Sequence, residues 1–264
     1  MRHLTKARLG ETGRGFARLL AGFRDLLVPP GCLICRADTG SAVPGPEGES
    51  QRPAGICPAC WAGFPGLPEA RCAVCGRPFQ TGLEGAWVCA NCLISPPAFD
   101  QATAGGLFSG SLRLAIHAFK YERVFGLARP LAGFMAERLA LPFYPPEADL
   151  ILPVPLHRRR LRQRGFNQAL LLARALYAPW RSRLHPDLLR RIRWTEPQIN
   201  LTGDDRRRNV RRAFAVPRPE KVEGRRVLLV DDVFTTGATV NECARVLKRA
   251  GAESVHVLTL ARVP

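Results

Sequence analysis

The sequence predicts an α/β domain, a parallel sheet flanked by helices, joined to a smaller module organised by metal instead of an apolar core. Three observations predict it. Residues 227–239 (VLLVDDVFTTGAT) read as a buried strand, a phosphate-sized loop and a helix start; residues 150–177 repeat the order strand, loop, helix; and eight of the nine cysteines form four CxxC pairs. Strand and helix patterns in alternation are the signature of a parallel sheet. A chain of 264 residues is long enough for one such core plus a small module.

Composition narrows the function classes. With 46% hydrophobic and 23% charged residues the chain is globular, which excludes wholesale disorder. Its 39 Lys and Arg against 22 Asp and Glu leave +17, a balance that favours polyanions, either nucleic acid or anionic lipid. An arginine-rich coding bias is the bland alternative. No run of 18 apolar residues occurs, and the N-terminus mixes Arg, Lys and Glu where a signal core would be apolar, so the expected compartment is the cytosol. In a reducing compartment CxxC pairs mean metal before disulfide.

The elements follow in order. Over residues 1–30, Phe16, Leu19, Leu20, Phe23, Leu26 and Leu27 recur at helical spacing among arginines, predicting an amphipathic helix stopped by Pro29 and Pro30. Either it packs on the core or it lies on a membrane surface. Residues 31–94 turn to Gly, Pro and Cys. Here Cys32 with Cys35, Cys57 with Cys60, Cys72 with Cys75, and Cys89 with Cys92 each bring two thiolates to one knuckle, and any two knuckles complete a tetrahedral site. Two closed, structural Zn2+ sites are expected. Intervals of 21 and 13 residues fall just outside the usual ribbon range, and leave sequential and interleaved pairings both open. Ser95 to Asp100 (SPPAFD) reads as a linker to a second domain over 101–264.

That domain opens with a weak, Gly-containing strand over Ala102 to Phe108 and a helix from Ser109 that buries Leu112, Ala115, Ile116 and Phe119. Its other face carries Arg113, His117, Lys120 and Tyr121 and reads as solvated, with a ligand-facing Lys120 as the sharper alternative. Another helix is expected over 126–141, then a strand from Leu150 to Val154. It ends in Pro155, Leu156, His157 and Arg158, and the basic run continues through Arg159, Arg160, Arg162 and Arg164, read as a loop. Leu188 to Trp194 reads as an edge strand. Thr195 to Phe214 is a long polar connection holding Arg206, Arg207, Arg208, Arg211 and Arg212, more in keeping with a lid or binding loop than with filler. A last strand spans Ser254 to Ala261.

The run at 227–239 carries the chemistry. Backbone N–H groups of Thr235 to Thr239, the positive helix end and the threonine hydroxyls form a cup for a phosphate monoester. Asp231 and Asp232 suit the vicinal hydroxyls of a ribose, near where a magnesium ion would sit. A sugar phosphate is the expected ligand. The basic loop after residue 154 lies on the same sheet edge and suits a pyrophosphate through charge-assisted bonds.

This run resembles the phosphoribosyl-pyrophosphate (PRPP) signature of type I phosphoribosyltransferases, except that Phe234 stands where an aliphatic residue is usual. The resemblance implies that Asp231 and Asp232 hold the ribose hydroxyls of PRPP and that Thr235, Thr236, Gly237, Ala238 and Thr239 hold its 5-phosphate, with Mg2+ accompanying the ligand. It implies no covalent nucleophile. Together with PPGCLIC, the CxxC tandem, PPAFD, IHAFKY, PVPLHRRRLRQRGFNQ and PQINLTGDDRRRNVRRAF, the order of motifs resembles the ComF family of competence-associated proteins. That family joins a double zinc ribbon to a type I phosphoribosyltransferase-like domain. The resemblance implies handling of single-stranded DNA during uptake, on the cytosolic side of the inner membrane, with competence-machinery partners. Pro155, Leu156, His157 and Arg158 would then form the pyrophosphate loop. Arg160, Arg162, Arg164, Arg206, Arg207, Arg208 and Arg211 would form a basic lid or DNA-binding surface. The alternative is an active transferase moving ribose 5-phosphate to an acceptor. A third reading makes the PRPP site a sensor and the ribbons a protein-docking module.

Overall fold

The computed structural model describes residues 31–37, 55–79, 87–138, 147–195 and 203–264; the helix expected over 1–30 lies outside them. In chain order the elements are short helices α1 (Pro58–Ala62) and α2 (Ala90–Ile94), strand β1 (Gln101–Leu107), helices α3 (Gly110–Tyr121) and α4 (Ala128–Arg138), and strand β2 (Leu150–Pro153). Helices α5 (Arg158–Arg164) and α6 (Gln168–Leu176) follow, then β3 (Arg190–Arg191), α7 (Gly203–Val210), β4 (Phe214–Ala215), β5 (Arg226–Phe234), α8 (Ala238–Arg249) and β6 (Ser254–Arg262).

Four strands make one sheet in the order β1-β6-β5-β2, parallel throughout. Its registers pair Leu150 with Val227, Val230 with Leu258 and Ala104 with Thr259, so the carboxyl ends share one edge. β5 is buried along Val227–Val230 because both faces are covered, as parallel strands require. One face packs Leu228, Val230, Leu258 and Leu260 on Leu112, Ile116, Phe119, Phe134 and Leu172 of α3, α4 and α6. The other packs Val227, Leu229 and Val257 on Cys243, Ala244 and Leu247 of α8.

Each cysteine cluster joins one of these two cores. Cys32, Ile56, Cys57, Cys60 and Phe64 pack with α3 and α4, whereas Cys72, Cys75, Cys89 and Phe99 pack with the α8 face. Gly106 permits the first approach, since a Cβ there would strike the carbonyl of Pro65. The segment read as a linker is tightly bonded. Phe99 is buried, the Ala98 N–H donates to Asn241 Oδ1 at 2.6 Å, and Asp100 accepts from the Val255 N–H at 2.6 Å and pairs with Lys248.

Other expectations change in detail. The helix expected over 126–141 is a 3-10 turn over Phe125–Leu127 followed by α4, with 139–141 outside the described residues. Of Leu188 to Trp194 only β3 is a strand, antiparallel to β4 in a separate two-stranded ribbon. β5 runs on through both aspartates to Phe234, so the carboxylates belong to the strand and not to the loop after it.

Candidate sugar-phosphate site and zinc clusters

At the carboxyl ends of β2 and β5 lies a cavity of about 680 Å³. Ligands of open α/β sheets bind at this edge. From β5 and its loop the walls are Asp231, Asp232, Val233, Phe234, Thr235, Gly237, Ala238 and Thr239. Gly237, with φ at 76°, turns the chain into α8 in a left-handed conformation that favours glycine. Thr236 is exposed and outside the walls; its hydroxyl accepts from the Ala238 N–H at 3.4 Å and braces the turn.

Successive strand side chains point to opposite faces, which separates the two carboxylates. Asp232 meets α3, where Lys120 Nζ lies 2.8 Å from its Oδ1, with the side chains 18% and 12% exposed. Lys120 is therefore a cavity residue and not part of a solvated face. Asp231 accepts from the Asp232 N–H at 2.8 Å. Burial and then the neighbouring Asp232 charge push its carboxyl up to about 7, with the Asp232 N–H, Lys120 and Arg191 opposing.

Arg191 enters the cavity from β3. Its guanidinium stacks on Phe214 at 5.3 Å and donates to Thr195 Oγ1, while its Nε is buried with no hydrogen-bond partner. Burial pushes its pKa down. A fixed, incompletely paired guanidinium facing a carboxylate is suited to an anionic ligand.

The basic run after β2 forms helix α5, not a loop. His157 Nδ1 caps it by accepting from the Arg159 N–H at 3.2 Å, and Gly165, with φ at 86°, ends it. Seven residues that are nearly all basic offer no apolar period to reveal a helix. Pro155 and Leu156 line the cavity; His157 and Arg158 do not. His157 packs on Trp194 at 5.4 Å. Arg160 and Arg164 reach the walls, stacking on Trp194 at 5.9 Å and Tyr121 at 5.2 Å, whereas Arg162 stays outside. Asn167 caps α6 and donates to the Val154 carbonyl, tying this wall to β2.

Arg208 and Arg211 stand outside the cavity walls, and the side chains of Arg206 and Arg207 lie outside the described residues. Helix α7 packs on α8, and the Arg212 N–H donates to Glu242 Oε1 at 2.7 Å. The described part of that connection is thus docked on the protein body.

Two metal-ligand sets are complete. Cys32, Cys35, Cys57 and Cys60 form one, and Cys72, Cys75, Cys89 and Cys92 the other, with all sulfurs of a set within 4.8 Å of one another. Pairing is therefore sequential. Cys35 and Cys57 sulfurs are 3.7 Å apart, as are those of Cys75 and Cys89. Tetrahedral zinc with Zn–S bonds of about 2.3 Å places its sulfurs about 3.8 Å apart. Burial would raise the Cys32 thiol, but N–H donors from Cys57, Cys35 and Ile34 outweigh it and bring it down to about 6. Cys72, burial likewise overcome by Cys75, Cys89 and Val74 donors, falls to about 7. Burial and neighbouring sulfurs push Cys60 and Cys92 well up, which is the state of four crowded thiols sharing too little positive charge.

Comparison with known proteins agrees with this architecture. The double zinc ribbon domain family matches residues 23–93, and the phosphoribosyl transferase domain family matches residues 189–264. Competence protein F of Haemophilus influenzae is 35% identical over 219 residues, which cover 79% of this chain and 90% of that protein. The chain belongs to the ComF family. DNA utilization protein YhgH of Escherichia coli O157:H7 is likewise 35% identical, over 79% of this chain and 90% of its own. Competence protein ComFC of Bacillus subtilis is 26% identical over 78% of this chain and 84% of its own. Among the described residues of this ComF chain, no helix is long and apolar enough to cross a membrane.

Sequence reasoning missed several cavity residues of the ComF fold. Arg191 sat in a run read as an edge strand, and its packing on Phe214 and bond to Thr195 distinguish it from Arg190 and Arg193. Arg123 has φ at 58° and donates to the Gln163 carbonyl at 2.9 Å, bridging the turn after α3 to α5. Nothing local marks it.

Proposed function

We propose that this ComF-family chain binds PRPP in the cavity and handles single-stranded DNA on the basic surface beside it, in the cytosol, during DNA uptake. The observation that carries the first half is that one cavity joins the pair Asp231 and Asp232 to two unlike groups suited to anions. One is Thr235, Gly237, Ala238 and Thr239 at the start of α8; the other is Arg160, Arg164 and Arg191. Carboxylates accept from vicinal ribose hydroxyls, the helix start takes a phosphate monoester, and guanidinium groups take a pyrophosphate. The aspartate oxygens are also hard donors fitting Mg2+, which when bound with PRPP neutralises pyrophosphate charge. Lys120 holds Asp232 in place meanwhile.

Support for DNA comes from the +17 charge, from the relatives named for competence and DNA utilization, and from aromatics that the fold gathers onto the basic rim. Tyr121 is 54% and Phe125 52% exposed, with Arg164 over Tyr121 and Arg123 in the same turn. Aromatic rings and guanidinium planes stack bases, and arginines take the phosphates. Fluorescence anisotropy with a labelled oligothymidylate tests this. Affinity is expected to fall steeply as salt rises and to drop at least about fivefold in Tyr121→Ala, Phe125→Ala. Binding indifferent to salt counts against it.

Phe108 and Tyr121 on the cavity wall favour a second reading, transfer of ribose 5-phosphate to an aromatic acceptor. Magnesium-dependent pyrophosphate release with a nucleobase panel tests it, and absence of turnover across the panel discards it.

A further inference from the structure

One side chain joins a zinc cluster to the phosphate loop. Arg262, at the end of β6, is only 5% exposed. Its Nη1 donates to the Cys75 carbonyl at 2.6 Å, and its Nη2 lies 3.7 Å from Cys75 Sγ. No salt bridge to a carboxylate is found for it among the described residues, and its Nε is buried without a hydrogen-bond partner. A buried cation needs a compensating anion. Four thiolates around one divalent zinc leave a net dianion, and Cys75 is one of those ligands. The zinc-loaded cluster is thus the counter-ion of Arg262.

The guanidinium lies over the Phe234 ring, 4.4 Å from its centre. Phe99, on the ribbon side, closes on the same ring edge-on at 6.0 Å. Phe234 in turn backs the phosphate loop so closely that a Cβ on Gly237 would fall 2.5 Å from its ring. From these contacts we infer that Arg262 and Phe234 are positioning residues, through which the zinc in the second cluster fixes the shape of the phosphate loop. Among the described residues the first cluster has no such arm: its arginine, Arg36, is exposed and pairs with Glu122.

The inference deepens the PRPP reading, and its test has one arm that needs no ligand. Hydrogen exchange of amides 235–240 is followed in the full chain without ligand, with zinc content measured alongside. Cys92→Ser, which weakens the second cluster, is expected to speed that exchange at least tenfold and to weaken PRPP binding; Cys35→Ser in the first cluster is expected to leave the loop unchanged. If Cys92→Ser fails to fold, Phe234→Leu interrupts the same relay with both zincs in place, and is expected to loosen the loop at wild-type zinc content. Where Cys92→Ser folds, introducing it into Phe234→Leu should add little to the loop's exchange. Loop exchange unchanged in Phe234→Leu, or loosened equally by Cys35→Ser, overturns the inference. Loop exchange that responds as expected while wild type itself binds no PRPP would instead count against the PRPP reading alone.

Discussion

Lys120 Nζ sits 2.8 Å from Asp232 Oδ1, so a helix from the start of the domain supplies the cation that holds an acidic residue more than a hundred positions later. Both groups are largely out of water, and removing one strands the other. Lys120→Met is therefore expected to lower stability by ~3 kcal/mol, the scale for breaking a buried pair. Urea unfolding followed by fluorescence measures it, and Lys120→Arg should recover part of the loss.

Asp231 gives a pH dependence whose sign follows from its raised value. The folded state holds this proton up to about 7 while the unfolded chain releases it near 3.8, so the stabilisation is complete below 3.8 and is lost as pH rises through about 7. Asp231→Asn removes that loss. Its melting temperature relative to wild type is expected to rise between pH 5 and pH 8, and a constant difference across that window would contradict the assignment.

Gly237 and Phe234 form a second linked pair. Gly237→Ala places a side chain in the left-handed region, at about 1–2 kcal/mol, and presses it on the Phe234 ring. Phe234→Leu should relieve part of that pressure. The two substitutions are expected to be non-additive in a double-mutant cycle of thermal stability, with the pair less destabilised than the sum.

The zinc clusters share the cores of the sheet, so their metal should stabilise the whole chain. Chelation is expected to lower one cooperative transition instead of melting a tail, seen by calorimetry. Zinc binding should release protons, chiefly from Cys60 and Cys92, whose thiols are pushed up. Affinity for zinc should fall as pH drops, and more steeply below the Cys72 and Cys32 values of about 7 and about 6, measured by competition with a chromophoric chelator.

What was legible in the sequence was whatever local chemistry dictates. The apolar run ending in Asp231 and Asp232, the Thr-Thr-Gly turn and the CxxC spacing each declare themselves within a few residues. What was not legible depends on partners distant in the chain. Ser95 to Asp100 looked like a linker because its bonds go to Asn241 and Val255. Arg191 passed as one arginine of an edge strand, and Lys120 as part of a solvated face, because Phe214 and Asp232, which place them, lie far along the sequence. Helix α5 hid because its arginines owe their helix to the caps His157 and Gly165, not to a buried stripe.

Calorimetric titration of PRPP with magnesium into wild type and into Asp231→Asn, Asp232→Asn tests the sugar-phosphate site most directly. One site per chain in wild type, weakened at least a hundredfold in the double variant, is the expected result. Undiminished binding in the variant, or none in wild type, would contradict it.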